Sequence, residues 1–558
     1  MGRTFEFASK ERPVSPKHTL NAVTVPTSIA AASDIPDMSY DQILLLGDSL
    51  TDWSMKPNGW GLQLTTAYNR KADIKVRAVA GLNSWNLRHM MPSILSELNP
   101  AKVKLITLLI GTNDATVEAY NQHVDVSDYK DHVAAILKDI QRALPNARVI
   151  VMTPPPLGFV ESTIIAKGSI MRYRDACIDT VLTLKPSFKN LVLLNLWDVF
   201  LPNSEYKQPN WNPDTVKHLF YDGVHFGDEG ASLLFHGLMT AIKSHWPELS
   251  PDALPTKYPS PMFLPPAKSK NVEELKKVLF KEARPVSSNT VKAMVANSTS
   301  AATLPDLSYD KIILFGDSLT EYGSSDEDGW VLQLQQRYAR KMAVENHGYG
   351  GYTSYWLKFG IPSFLSESLP ARIKLVVLWI GTNDSALKGQ SNQHVPAEKY
   401  KQYVKEMVNT TLAVAKDARI LIITPPPIGS TLVFSYYTFD SIKLYRNTCI
   451  EAFSDLKESV GASVRQNLLL LDTWDLLVPN KAYEEPLFDP SSLNDWFKDG
   501  LHFSAKGHAK VLEAIVTAIG NNWPNLSADN VPEHLPRFNT GPSNDENNDD
   551  AVRKWLFG

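Results

Sequence analysis

Two serines sit in the same five-residue string, Gly-Asp-Ser-Leu-Thr, at positions 47–51 and 316–320. Downstream of each stands Gly-Thr-Asn-Asp, at 111–114 and 381–384, and further on Asp-Gly-x-His-Phe, at 222–226 and 499–503. A serine hydroxyl is a poor nucleophile until a base takes its proton. A histidine can be that base, and an aspartate three residues before it can fix the ring tautomer and stabilise the imidazolium. The chemistry these residues support is acyl transfer, by Ser49 with His225 and Asp222, and by Ser318 with His502 and Asp499. The oxyanion of a tetrahedral intermediate also needs hydrogen-bond donors. The side-chain amides of Asn113 and Asn383, a glycine amide and the serine's own amide are the candidates. Neither serine lies in a Gly-x-Ser-x-Gly elbow, so the ordinary α/β-hydrolase arrangement is not indicated.

The two sets keep register. Ser49 and Ser318 are 269 positions apart, Asn113 and Asn383 270, and His225 and His502 277, which marks an internal duplication. A chain of 558 residues exceeds what one hydrophobic core usually supports. Matched openings (Pro-Asp-Met-Ser-Tyr-Asp and Pro-Asp-Leu-Ser-Tyr-Asp) and matched endings (Trp246-Pro-Glu-Leu-Ser and Trp523-Pro-Asn-Leu-Ser) place one domain at 34–255 and a second at 303–533. Between them, 256–302 reads as a linker, with helical spacing at Val272, Leu275, Val278 and Leu279. Residues 1–33 are expected to be a partly disordered extension. Residues 534–558 form a C-terminal tail, whose Asn/Asp-rich run 543–550 is expected to be disordered.

Apolar runs at 43–46, 105–110, 149–153 and 191–195, matched at 312–315, 375–380, 420–424 and 468–472, predict strands. Amphipathic stretches such as 128–143 and 399–415 predict the helices between them. Continuous Ile/Leu/Val strands alternating with helices indicate a parallel sheet covered on both faces, a doubly wound α/β domain in each repeat. In such sheets ligands bind beyond the carboxyl ends of the strands. Both the serine string and the Gly-Thr-Asn-Asp string directly follow predicted strands.

Bulk properties narrow the function further. A net charge of −4 gives no broad electrostatic footprint for nucleic acid. No apolar run approaches the roughly 18 residues of a membrane span, and the first residues lack a secretory apolar stretch, so a cytoplasmic protein without integral membrane association is expected. The two cysteines, Cys177 and Cys449, occupy the same place in the two repeats and are expected to be buried free thiols rather than a bridge. His123 and His394 also duplicate, without companions at metal-ligand spacing, so loop histidines are expected and no metal site.

The strings Gly-Asp-Ser-Leu-Thr, Asn346-His-Gly-Tyr-Gly-Gly-Tyr-Thr-Ser354, Gly-Thr-Asn-Asp and Asp-Gly-Leu-His-Phe, in that order, resemble the four blocks of the SGNH (GDSL-type) hydrolases. The segments Asp328-Gly-Trp, Asn392-Gln-His-Val-Pro and Thr424-Pro-Pro-Pro are similar to its isoamyl acetate-hydrolysing esterase branch. The resemblance implies tandem flavodoxin-like three-layer α/β/α domains hydrolysing small or medium acyl esters through an acyl-serine, with no cofactor and no metal. It assigns Ser49 and Ser318 as nucleophiles, Asp222 with His225 and Asp499 with His502 as acid–base pairs, and Gly81 with Asn113 and Gly351 with Asn383 as oxyanion donors. A small-molecule ester is then the partner, together with contact between the two domains. Lysophospholipase or acetyl-carbohydrate esterase activity, or a first repeat serving only as a binding module, are the alternatives. The repeats differ in the second block. Asn346, Gly348, Gly350 and Gly351 of repeat 2 align with Val76, Ala78, Ala80 and Gly81 of repeat 1. If the turn requires positive φ at the first two glycine positions, the alanines strain it, and repeat 2 is expected to be the better catalyst.

Overall fold

Each repeat folds around a five-stranded, all-parallel sheet in the computed structural model, which describes residues 37–158, 164–165, 167–208, 211–267, 271–281, 306–326, 328–366, 368–535 and 549–557. In repeat 1 the strands are β1 (Asp41–Gly47), β2 (Ala72–Ala78), β3 (Val103–Leu109), β4 (Arg148–Met152) and β5 (Leu191–Leu194), in the spatial order β2-β1-β3-β4-β5. Repeat 2 repeats that order with β6 (Lys311–Gly316), β7 (Ala343–Gly348), β8 (Ile373–Trp379), β9 (Arg419–Ile423) and β10 (Leu468–Leu471). This 2-1-3-4-5 order is the flavodoxin-like one, whose switch point lies between the first and third strands. The inner strands β1, β3, β6 and β8 are almost wholly buried Leu, Ile and Val, as strands covered on both faces must be.

The outer strands β2 and β7 are absent from the sequence-based expectation, and their composition explains why. Asp73, Lys75 and Arg77 alternate with Ile74 and Val76 in β2, which has a neighbouring strand on one side only. Polar residues there face a cavity of about 1460 Å³ lined by both repeats, β7 contributing Glu345 and His347. Burial lowers the pKa of the Lys75 amine, and nearby Lys311 lowers it further, against the pull of Glu345.

The repeats also exchange their flanking segments. Met38, Tyr40, Tyr258, Leu264, Leu275 and Leu279, which precede or follow the first sheet in sequence, are buried in the core of repeat 2. Leu307, Leu535, Val552 and Leu556, which flank the second sheet, are buried with the core of repeat 1. Met38 N–H donates to Ser363 Oγ at 3.1 Å, and Trp356 Nε1–H donates to the Pro265 carbonyl at 3.2 Å. The linker forms a helix at Val272–Leu279. Within the tail, Asp549–Phe557 is helical, so the run expected to be disordered ends in a helix at 549–550; Val552 and Leu556 lie one turn apart on one face and are buried against repeat 1. The extension 1–33, residues 268–270 and 282–302 of the linker and residues 536–548 of the tail lie outside the described residues.

Candidate active site

Gly47 ends β1 opposite Ala78 of β2 and Leu109 of β3. The Gly-Asp-Ser-Leu-Thr string, the second-block turn and the Gly-Thr-Asn-Asp string therefore leave three adjacent strands at one edge of the sheet. Gly316, Gly348 and Trp379 repeat the arrangement. After β1 the Asp48 carboxylate caps a single helical turn, Ser49–Asp52, by accepting the Leu50 N–H at 2.9 Å. Asp317 does the same for Leu319 at 3.0 Å. Burial pushes both carboxyls up to about 8, and each keeps one buried oxygen without a hydrogen-bond partner. One turn is too short to build a macrodipole, so the serine's environment depends on individual amides.

The histidines come from the far end of each repeat, in the loop before the closing helices Asp228–His245 and Ala505–Asn522. His225 Nε2 lies 2.9 Å from Ser49 Oγ, and its Nδ1 lies 2.6 Å from Asp222 Oδ2. In repeat 2 the corresponding distances are 2.9 Å from His502 to Ser318 and 2.7 Å from His502 to Asp499. The other oxygen of each aspartate accepts the backbone N–H of its histidine, at 2.8 Å in repeat 1 and 2.7 Å in repeat 2. Partial burial alone would raise the Asp222 and Asp499 carboxyls, but these hydrogen bonds outweigh it and hold both below the usual range. Burial lowers the His225 pKa below its ordinary 6.5, against the pull of Asp222. Both serines are buried, and the repeat 2 dyad is the drier one. The His502 and Asp499 side chains are 12% and 30% exposed, against 18% and 40% for His225 and Asp222.

Three groups in each repeat have a hydrogen to offer an oxyanion. Asn113 Nδ2 donates one hydrogen to the Leu82 carbonyl at 2.7 Å, and Asn383 Nδ2 donates one to the Tyr352 carbonyl at 2.9 Å, so each amide retains a second hydrogen. Among the described residues, the backbone N–H groups of Ser49, Gly81, Ser318 and Gly351 donate to no protein acceptor. The turn is tied to the Asn-bearing loop by Gln122, which donates to the Gly81 carbonyl at 2.7 Å, and by Gln393, which donates to the Gly351 carbonyl at 2.8 Å. Asp114 and Asp384 accept the N–H groups of Ser84 and Ser354 at the start of the next helix, a tethering role. His394 Nδ1 bonds the carbonyl of Ala386 in its own loop at 2.7 Å.

The expected strain in repeat 1 does not arise. Within the turn only Gly81 and Gly351 have positive φ, at 86° and 76°, and both repeats keep glycine there. What Gly350 accommodates is close approach. A methyl group on it would come within 2.8 Å of Glu321 Oε2, the oxygen that accepts the Gly350 N–H. Repeat 1 has a methyl there, Ala80, and its acid is one methylene shorter, with Asp52 Oδ2 accepting the Ala80 N–H at 3.0 Å. The two pairs are size-matched. Gly350→Ala is therefore expected to lower Ser318-dependent kcat roughly tenfold, since overpacking typically costs ~1–3 kcal/mol. Adding Glu321→Asp should restore most of it. Steady-state kinetics in a Ser49→Ala background tests this, and a double variant no better than the single one would refute the size match.

Several neighbours were not legible in the sequence. Tyr437 donates to Asn383 Oδ1 at 2.9 Å, and Gln393 donates to the same oxygen at 3.1 Å. The Leu387 N–H bonds the Tyr436 carbonyl as Val117 bonds that of Ile164, so Ile165 takes the place of Tyr437 in repeat 1 and cannot hold Asn113. Trp53 lies over the His225 ring with centroids 3.9 Å apart, and Tyr322 lies 4.9 Å from His502. Phe434 approaches His502 edge-on at 6.4 Å, so the loop before the helix Phe439–Ser459 reaches the site. Most of the matching segment in repeat 1, residues 159–163 and 166, lies outside the described residues.

The profile of the GDSL-like lipase/acylhydrolase family matches residues 45–233 and again residues 314–510, together more than half of the chain. The chain belongs to this family. Among its relatives are an isoamyl acetate-hydrolyzing esterase of Schizosaccharomyces pombe, 29% identical over 221 residues covering 39% of this chain and 82% of the relative. The human isoamyl acetate-hydrolyzing esterase 1 homolog is 30% identical over 214 residues, covering 36% and 78%. A GDSL esterase/lipase of Arabidopsis thaliana is 30% identical over 240 residues, covering 39% and 91%. Among solved structures, the acetyl xylan esterase AlAXEase aligns over 38% of this chain and 99% of its own, with 21% identity and a TM-score of 0.29. The protein is accordingly a carboxylic ester hydrolase with two tandem α/β domains. Among the described residues no helix is long and apolar enough to cross a membrane.

Proposed function

We propose that both repeats are serine esterases acting on small or medium acyl esters, and that repeat 2 is the better catalyst. The observation that carries the reading is the unbroken relay in each repeat, with His Nε2 at 2.9 Å from the serine oxygen and Nδ1 against an aspartate. Histidine takes the serine proton as the oxygen attacks the ester carbonyl. The tetrahedral oxyanion is met by the amides of the serine and of Gly81 or Gly351, and by the second hydrogen of Asn113 or Asn383. Collapse expels the alcohol, which takes the proton from the imidazolium, and water then releases the acid by the same steps. The names of the relatives support a short acyl group. The drier dyad and the asparagine fixed by Tyr437 and Gln393 support the ranking of the repeats, because preorganised donors need no rearrangement as charge develops.

Covalent labelling by a fluorophosphonate, quantified at Ser49 and Ser318 by peptide mass spectrometry, tests the reading. Both serines should be labelled, Ser318 faster. An unlabelled Ser318 in folded protein would overturn the mechanism, and an unlabelled Ser49 alone would make repeat 1 a binding module. The base must be neutral to accept the proton. Because the His225 pKa is depressed, Ser49-dependent kcat/KM in a Ser318→Ala variant should hold through pH 6.5 and reach half its plateau at a lower pH. A midpoint above 6.5 would contradict the burial-dominated environment.

A further inference from the structure

We infer that Asn69, in repeat 1, is a positioning residue for the oxyanion hole of repeat 2, so that turnover at Ser318 depends on the neighbouring domain. This rests on the assignment of Ser318 as a nucleophile. Asn69 lies just before β2, where Nδ2 donates across the domain boundary to Glu321 Oε1 at 3.0 Å. Glu321 is buried, and its other oxygen accepts the Gly350 N–H, one residue before the glycine whose amide faces the oxyanion. A glutamate side chain has several rotatable bonds, and a hydrogen bond on each oxygen fixes its carboxylate plane and so the path of the turn. Asn69 thereby acts through Glu321 and Gly350 and touches no reacting atom.

The connection is one-sided. The residue of repeat 2 aligned with Asn69 is Ala339, which lines the interdomain cavity but has no side-chain donor to offer Asp52. Asp52 accepts the Ala80 N–H, and burial pushes its carboxyl up to about 6 against that hydrogen bond and the nearby charge of Arg340 in repeat 2. Among the described residues, Glu321 thus accepts a side-chain hydrogen bond from repeat 1, whereas Asp52 accepts none from repeat 2.

The test uses the full chain with Ser49→Ala, so that only Ser318 turns over. Asn69→Ala should lower kcat about tenfold with KM and thermal midpoint nearly unchanged, a loss of the size that a misplaced catalytic group produces. Asn69→Asp should do more damage, by setting a second carboxylate against Glu321. Combining it with Glu321→Gln, which reverses donor and acceptor, should recover at least half of the Asn69→Ala loss, whereas a merely structural role predicts no such rescue. In the Ser318→Ala background, Asn69→Ala should leave Ser49 turnover unchanged. Equal kcat for Asn69→Ala and Asn69, or no recovery in the reversed pair, would overturn the inference. If Ser318 were not a nucleophile, adding Ser318→Ala to the Ser49→Ala chain would leave its turnover intact, an outcome distinct from either.

Discussion

Ester hydrolysis by the Ser49→Ala, Ser318→Ala double variant is expected to fall by on the order of 10⁶ in kcat, leaving only what the oxyanion donors and binding contribute. The serine and histidine in each repeat act as one unit, since the hydroxyl is useless without the imidazole 2.9 Å away. In a Ser49→Ala background, His502→Ala should therefore cost about as much as Ser318→Ala, and combining the two should cost no more than either alone. Both serines are buried in a packed edge, and alanine removes one oxygen without altering the turn that follows, so the folded state should persist. Single-turnover and steady-state kinetics on a short-chain ester measure the effect. More than one part in a hundred of wild-type turnover in the double variant would show that hydrolysis runs elsewhere.

Asp499→Asn, in the same Ser49→Ala background, is expected to lower kcat on the order of 10⁴-fold with KM little changed. The reason is a tautomer. Asp499 Oδ1 accepts the backbone N–H groups of His502 and Leu501, at 2.7 and 3.0 Å, while Oδ2 faces His502 Nδ1. An asparagine can keep its oxygen on the two backbone groups and so preserve the loop, but its amide then faces Nδ1 as a donor. The imidazole must carry its proton on Nε2, where it points at the serine and cannot accept the serine proton. A loss below tenfold would mean that Asp499 orients the loop and leaves the tautomer to other groups.

Four of the five strands in each sheet are legible in sequence, because they are short runs dominated by Ile, Leu and Val. The outer strands β2 and β7 are not, because they sit beside a polar cavity and carry charges at the positions that would otherwise be apolar. The ordered strings single out the residues proposed as nucleophiles, acid–base pairs and oxyanion asparagines, since each is a local pattern whose chemistry depends on residue type. The strain expected of Ala78 and Ala80 does not survive, because residue type alone cannot separate a glycine needed for positive φ from one needed for clearance. Clearance at Gly350 is set by Glu321, 29 positions away. The helix within the tail was hidden for a similar reason: a polar flank disguises two apolar residues whose partner surface belongs to the other repeat.

What this sequence determines by itself is therefore the duplicated fold and the candidate reacting groups, because short-range periodicity and residue chemistry are properties of neighbouring positions. Only the tertiary structure decides how firmly those groups are held. Tyr437 and Gln393 on Asn383, Trp53 on His225, the exchanged flanking segments and the bond from Asn69 to Glu321 all join residues that the local pattern does not connect. Asn69 and Glu321 lie 252 positions apart. Their meeting is fixed by how two sheets pack, a global minimum over many weak contacts, and leaves no mark at either position that could be read in isolation.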